Sequence, residues 1–362
     1  RLWKHSGNRL NVIIQHYKFN TFIAMFLIIS EIYLFLFRTH VKLGNRHKLS
    51  VGTEYIVDVL KSQTDNIAKE DAYTLALFAQ DEIKLLRNLQ ALIGVRYIYH
   101  ENFKNHATPN VALMYKPGKF NFRASYAAGF RTPTLSELYA TDIAKKNDRL
   151  TIGNLDLKPE KNNYFSLSAE YVHERFSVSV NAFYNNIRDM IDYNTIATGD
   201  KAMEQYGHKE VRQRDNIAEA KVHGINVSAN AYLGAGFNLS GGYTHLNTQD
   251  VELEQPIDKS IKNAYNINAQ WAHSWKIYRL NINLNGRINS KRFSKSYGYA
   301  PEYQLWDLNT RHSFNLKSVI IEPGFGMENL FDYMDDRPYN SNYATLTPGR
   351  SFYISLSLKF KS

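Results

Sequence analysis

The residues of this sequence that could do chemistry are spaced in ways that argue against catalysis. Twelve histidines are present. His208 and His223 fall in or near one long polar stretch and His245 and His273 lie near the ends of alternating segments, but none shows the H-x-x-x-H spacing that sets two imidazoles a helical turn apart for a metal. Asp192, Asp200 and Asp215 are too dispersed for a calcium loop. The absence of cysteine removes thiol catalysis, a Cys-ligated zinc site and a disulfide framework. No G-x-S-x-G elbow occurs, which leaves only a Ser–His pair assembled across strands, without a motif to support it. The expectation is a non-enzyme without cofactor or metal.

Binding chemistry is better represented. Tyr206, His208, Arg212 and Arg214, then Tyr297, Tyr299 and Tyr303, then Tyr339 and Tyr343, combine rings and cations in polar connections, which suits a flat or anionic ligand. The same residues fit an interfacial aromatic belt with cations that hold lipopolysaccharide, and both readings stay open. The formal charge of +10 comes without a recognisable nucleic-acid module, so nucleic acid is not an expected partner; basic loops facing anionic lipid headgroups or an anionic ligand fit better.

The elements that must position these residues announce themselves by alternation. In the terminal run, Phe352, Ile354, Leu356, Leu358 and Phe360 share one face of a strand, and Tyr353, Ser355, Ser357 and Lys359 share the other. From Ile277 to Ile288 the apolar set Tyr278, Leu280, Ile282 and Leu284 alternates with Arg279, Asn281, Asn283 and Asn285. Strands of about 9–11 residues recur, the length of a tilted bilayer crossing rather than the usual globular strand of about 5–6. A mean hydropathy of −0.43 is no objection, because half of each barrel strand is polar. The 25 Tyr and 20 Phe suit rings crowding two membrane interfaces.

About fourteen such strands are expected from residue 47 onward. Short links at 85–88, 117–119, 173–174, 234–236, 274–276 and 315–318 take turns with long ones near 58–72, 131–162, 192–218, 247–262, 289–304 and 332–350. This is the asymmetry of an outer-membrane barrel, with short turns on the periplasmic side. The fold class is thus all-β, an antiparallel transmembrane β-barrel. Residues 1–46 form an atypical, unassigned segment, because the run from Phe22 to Phe37 is apolar on both faces except for Ser30 and Glu31. A signal-like or anchor helix, a pair of barrel strands and a disturbed reading frame all remain open for it.

Several motifs then resemble a known family. Ala128-Gly129-Phe130-Arg131-Thr132-Pro133-Thr134-Leu135-Ser136-Glu137-Leu138-Tyr139, followed by Gly153-Asn154-Leu155-Asp156-Leu157-Lys158-Pro159-Glu160, look like the paired boxes of TonB-dependent outer-membrane receptors. The segment from Asn185 to Tyr193, the Glu328-Asn329-Leu330-Phe331-Asp332 box and Pro348-Gly349-Arg350 continue the likeness in family order, over about residues 47–362. The box residues Phe130, Arg131, Pro133, Asn154, Leu155 and Leu157 are expected to shape the bend where a strand leaves the membrane, with Arg131 paired to a carboxylate or a lipid phosphate, rather than to touch ligand.

The resemblance implies energised uptake of a scarce nutrient in the bacterial outer membrane, with TonB acting through a plug domain and with lipid and lipopolysaccharide around the barrel. Family barrels have 22 strands and an N-terminal plug, so about fourteen strands without a plug imply the C-terminal portion of a receptor, a fragment not competent alone. The alternative is a passive porin-like channel or a structural surface barrel. No histidine lies between Thr134 and Gly153, which by the resemblance disfavours haem, and the motif order is similar to the cobalamin and siderophore branch.

Overall fold

The computed structural model describes residues 9–23, 26–62, 67–144, 148–294, 298–334 and 348–361. Among them the chain runs β1 (Arg9–Ile23), β2 (Phe26–Leu43), β3 (His47–Ser62), β4 (Ile67–Leu86), β5 (Leu89–His100), β6 (Lys104–Tyr115), β7 (Phe120–Arg131), α1 (Leu135–Tyr139), β8 (Thr141–Ala144), β9 (Arg149–Ile152), β10 (Glu160–Val172), β11 (Phe176–Thr198), α2 (Gly199–Tyr206), β12 (Glu210–Gly234), β13 (Phe237–Asp250), β14 (Asn263–Trp275), β15 (Tyr278–Asn289), β16 (Arg292–Ser294), β17 (Gly298–Ala300), β18 (Tyr303–Asn315), β19 (Val319–Glu328) and β20 (Ser351–Phe360). Setting aside the four short strands β8, β9, β16 and β17, fourteen strands follow residue 47, as the alternation predicts. No helix of the described residues is long and apolar enough to cross a membrane.

The chain divides into two units: Arg1–Tyr115, Arg123–Phe165 and Asn185–Ala220 make the first, and Lys116–Phe122, Ser166–Tyr184 and Lys221–Ser362 the second. In the first, β1 to β6 form successive antiparallel pairs, with Phe35 opposite Tyr55 and Glu54 opposite Ala76. Within the apolar run from Phe22 to Phe37, Phe26–Phe37 lies in β2 and Phe22–Ile23 ends β1. In the second, β13, β14, β15, β18, β19 and β20 make an antiparallel meander.

Register in the second unit puts each polar set against the next. Asn268 faces Asn285 and Asn283 faces Asn309, and the Asn268 amide donates to both Asn283 and Asn285 at 2.7 and 2.6 Å. The opposite face is apolar and bare: Phe352, Ile354 and Leu356 remain 69, 78 and 66% exposed, which a chain in water would not tolerate over so many strands but a lipid-facing wall requires. Gly286 on this face lies opposite Trp306, and a Cβ there would stand 2.6 Å from the indole. The large ring covers the backbone that glycine leaves open.

Buried apolar clusters are small and belong to the first unit, where loops and the two helices fold back on strand ends: Leu60 with Ala72 and Leu135, Leu138 with Leu157 and Ile191, and Ala197 with Ala202 and Val211. Sequence reading underestimates some strands. β11 and β12 span 23 and 25 residues, and 25 residues extend roughly 80 Å against a hydrocarbon core of about 30 Å. Beyond the bilayer both faces of a strand are polar, so the alternation fades while the backbone ladder continues, and part of the stretch expected as a long connection at 192–218 is strand.

Candidate functional site

The two boxes are joined by one guanidinium. At the end of β7, Arg131 Nε and Nη2 donate to the two carboxylate oxygens of Glu160 at 2.8 and 2.6 Å, and Nη1 donates to Glu137 at 2.9 Å. The fork geometry of Arg suits this double pairing, which a lysine could not reproduce. Glu160 also accepts the Ile191 amide of β11 at 2.8 Å, so one carboxylate ties β10 to both β7 and β11.

Glu137 is set by its helix. Thr134 caps α1 by accepting the Glu137 amide at 3.2 Å, and Glu137 accepts the Thr134 amide at 2.9 Å, a reciprocal capping box. Burial pushes the Glu137 carboxyl up, but its bonds to Arg131 and Thr134 outweigh this and hold it below the usual carboxylate range. Pro133 is buried before the cap, and Leu135 and Leu138 are the buried residues of the helix. Phe130 stacks on His106 with centroids 3.7 Å apart.

The second box lies against the first by backbone: Gly153 donates to Ala140 at 2.9 Å and Asn154 to Glu137 at 3.0 Å. A Cβ on Gly153 would meet the Leu138 carbonyl at 2.5 Å, so this approach requires glycine. Leu157 is buried with Leu138 and Ile191, whereas Leu155 is 67% exposed. The Asn154 side chain donates to the Arg214 carbonyl at 3.0 Å. Asn216 completes the clamp, accepting the Lys158 amide at 2.8 Å and donating to the carbonyls of Lys158 and Asp189 at 2.9 and 2.6 Å.

The structure therefore brings the boxes together with the 206–214 stretch. β9 pairs in parallel with the start of β12, Arg149 opposite Glu210. His208 Nδ1 lies 2.9 Å from Asp148; the bond to His208 holds the exposed Asp148 carboxyl below its usual range. Arg212 donates to Glu210 at 2.6 Å, and Arg214 lies 3.8 Å over the Tyr193 ring. Tyr206 is half-buried against the cluster around Ala202. Each candidate cation here has an internal partner.

In the second unit, Tyr299 on β17 is 58% exposed and meets Phe293 edge-on at 5.3 Å, and Tyr303 stacks with Tyr333 at 5.8 Å. Tyr297, Tyr339 and Tyr343 lie outside the described residues. Asn329, nearly buried and left-handed at φ 52, organises the 328–332 box: its side chain donates to the carbonyls of Tyr333 and Pro348 at 2.8 and 3.1 Å, and its amide donates to Asp307 at 3.0 Å. Among the described residues no three His, Asp or Glu side chains converge where an ion could sit.

Sequence reading assigns no role to Glu137, Glu160, Asp148 or Asn216. The T-x-x-E spacing of Thr134 and Glu137 is a legible cap signal; the other three act across 27–60 residues of separation and leave no local signature.

Comparison with known proteins agrees with this geometry. The family described as TonB dependent receptor-like, beta-barrel, matches residues 8–330. A ferric enterobactin receptor from Pseudomonas aeruginosa superposes with a TM-score of 0.75 at 19% identity, covering 92% of this chain and 54% of that one. The siderophore receptor PirA from Pseudomonas aeruginosa gives 0.76 at 18%, covering 98% and 61%, and the copper transporter OprC gives 0.74 at 11%, covering 93% and 59%. The chain spans between half and two thirds of the length of these proteins, and at such identities the likeness is one of fold. The match across residues 8–330 places the chain in the TonB-dependent receptor β-barrel family, whose members are outer-membrane barrels that act as receptors and transporters.

Proposed function

We propose that this chain is the barrel portion of a receptor for energised uptake of a ferric siderophore or cobalamin, with haem the weaker option, and that TonB acts on it through a plug domain. The family match over residues 8–330 carries this reading. The structural neighbours described as siderophore receptors favour a ferric chelate among the ligands. Ligand is proposed to meet the aromatic and cationic residues of 206–214 and 297–303, with Tyr339 and Tyr343. Exposed Tyr299 offers a stacking surface, and the Arg214–Tyr193 pair offers a cation already held over a ring.

The test is titration of the whole receptor with a ferric siderophore, cobalamin and haem. Tight binding of a siderophore or cobalamin, weakened at least tenfold when Tyr299 and Arg212 are changed to Ala, is the expected result, since losing a ring and a cation removes at least about 1.4 kcal/mol. Tight binding of haem alone, untouched by those changes, would overturn both the ligand class and the site.

A further inference from the structure

The short turns of the second unit form a continuous rim. Backbone hydrogen bonds join each to the next: Val172 to Lys119 at 2.9 Å, Tyr232 to Arg175 at 2.7 Å, Ala272 to Gly236 at 3.0 Å, Asn315 to Ile277 at 2.7 Å and Lys361 to Ser318 at 3.1 Å. The charge along it is one-sided. Lys116, Lys119, Arg175, Lys276, Lys317 and Lys361 are all exposed, and Glu174 is the one acid in these turns. Among the described residues none of the six cations has a carboxylate partner; the Lys361 ammonium donates to the Leu316 carbonyl at 2.7 Å. The long connection 251–262 of the same unit instead mixes Glu252, Glu254 and Asp258 with Lys259 and Lys262.

Rings follow the rim on the apolar face. Phe120 meets Tyr171 at 4.9 Å and Tyr171 meets Phe176 at 5.6 Å; farther along, Trp275 stacks on Tyr278 at 5.5 Å and Tyr278 meets Phe314 at 5.1 Å. Aromatic side chains of this kind settle at the level of lipid headgroups. The belt therefore fixes the depth of the turns and puts their bare cations within a Debye length of the phosphates.

We infer that the short-turn rim of the second unit is a binding surface for anionic phospholipid headgroups, selecting phosphatidylglycerol-type over zwitterionic lipid in the leaflet it faces. The inference rests on reading the chain as an outer-membrane barrel. Charge complementarity and the ring of aromatics at headgroup depth argue for lipid as the occupant. An acidic soluble partner would need the cations but not the belt.

The test is association of spin-labelled lipids with the full chain reconstituted in phosphatidylcholine bilayers. Labelled phosphatidylglycerol is expected to enter the motionally restricted shell about fivefold more favourably than labelled phosphatidylcholine, the factor a single cation near an anionic surface contributes. High salt and the combined change of Lys116, Lys119, Arg175, Lys276, Lys317 and Lys361 to Gln should bring the ratio close to one, and changing the five lysines to Arg instead should retain it. Removing Lys201, Lys259 and Lys262 from the long connections should leave the ratio unchanged. Equal association of both lipids with the unaltered chain overturns the proposal, as does a ratio that survives the Gln changes or falls equally with the long-connection changes. If no lipid of either kind is restricted, the barrel reading itself fails.

Discussion

Cations in two regions of the molecule are treated in opposite ways. At the long-connection end of the first unit, Arg131 is held by Glu137 and Glu160, Arg212 by Glu210, His208 by Asp148, and Arg214 lies over Tyr193. On the short turns of the second unit, Lys116, Lys119, Arg175, Lys276 and Lys317 are exposed, with no ion pair among the described residues. The first set builds architecture, because loops and short helices have few apolar side chains with which to fix themselves. Tight turns are already fixed by the ladders they connect, so their charges are left for something outside the chain.

The largest consequence falls on Arg131. Its replacement by Ala leaves two carboxylates, only 13 and 17% exposed, close together without a counter-charge. Arg131 itself is 42% exposed, so water takes up part of the loss. The cost is expected to be about 2–3 kcal/mol, below the 3–5 typical of a fully buried pair. The urea midpoint in detergent micelles would measure it, and protease cleavage between the two boxes should appear at lower urea than for the unaltered chain. A cost below about 0.5 kcal/mol would show that the boxes hold without their charge hub.

These two regions also differ in how legible they are in sequence. The strands and turns of the second unit can be read residue by residue, because an apolar/polar period of two survives from Tyr278 to Leu284 and from Phe352 to Phe360, and Gly234-Ala235-Gly236 marks its turn by composition. The first unit yields its boxes by likeness but not its wiring. Nothing local in Glu160 announces that it will accept from Arg131, 29 residues away, and from the Ile191 amide. Nor does local sequence show that Asn216 will hold Lys158 across 58. The two ends of the stretch 192–218, though not 199–209, fail as a loop assignment for a related reason: outside the bilayer the backbone ladder of β11 and β12 continues without a buried face to impose alternation.

A smaller effect, dependent on pH, sharpens the comparison. The Glu137 carboxyl is held below its usual range in the folded chain, so its ionised form contributes stability that is present above the ordinary carboxylate pKa of about 4.5 and is lost as pH falls through the lower folded value. Glu137→Gln should therefore lower the urea midpoint at neutral pH and converge on the unaltered chain in acid. A difference that persists undiminished well below pH 4 would mean that the substitution acts through packing of α1 rather than through charge.

The smallest effect is expected on the short turns. Lys317→Gln removes an exposed cation without a partner, and its cost should stay within about 0.5 kcal/mol in micelles free of anionic lipid. Lys276 gives the more discriminating version. Its φ of 46 lies in the left-handed region, which a lysine enters at a cost of about 1–2 kcal/mol and which Asn tolerates better. Lys276→Asn should thus leave the midpoint unchanged or raise it slightly while deleting the charge. If the Asn variant instead loses more than about 1 kcal/mol in neutral micelles, Lys276 has a structural role, and the contrast between paired and bare cations fails at that turn.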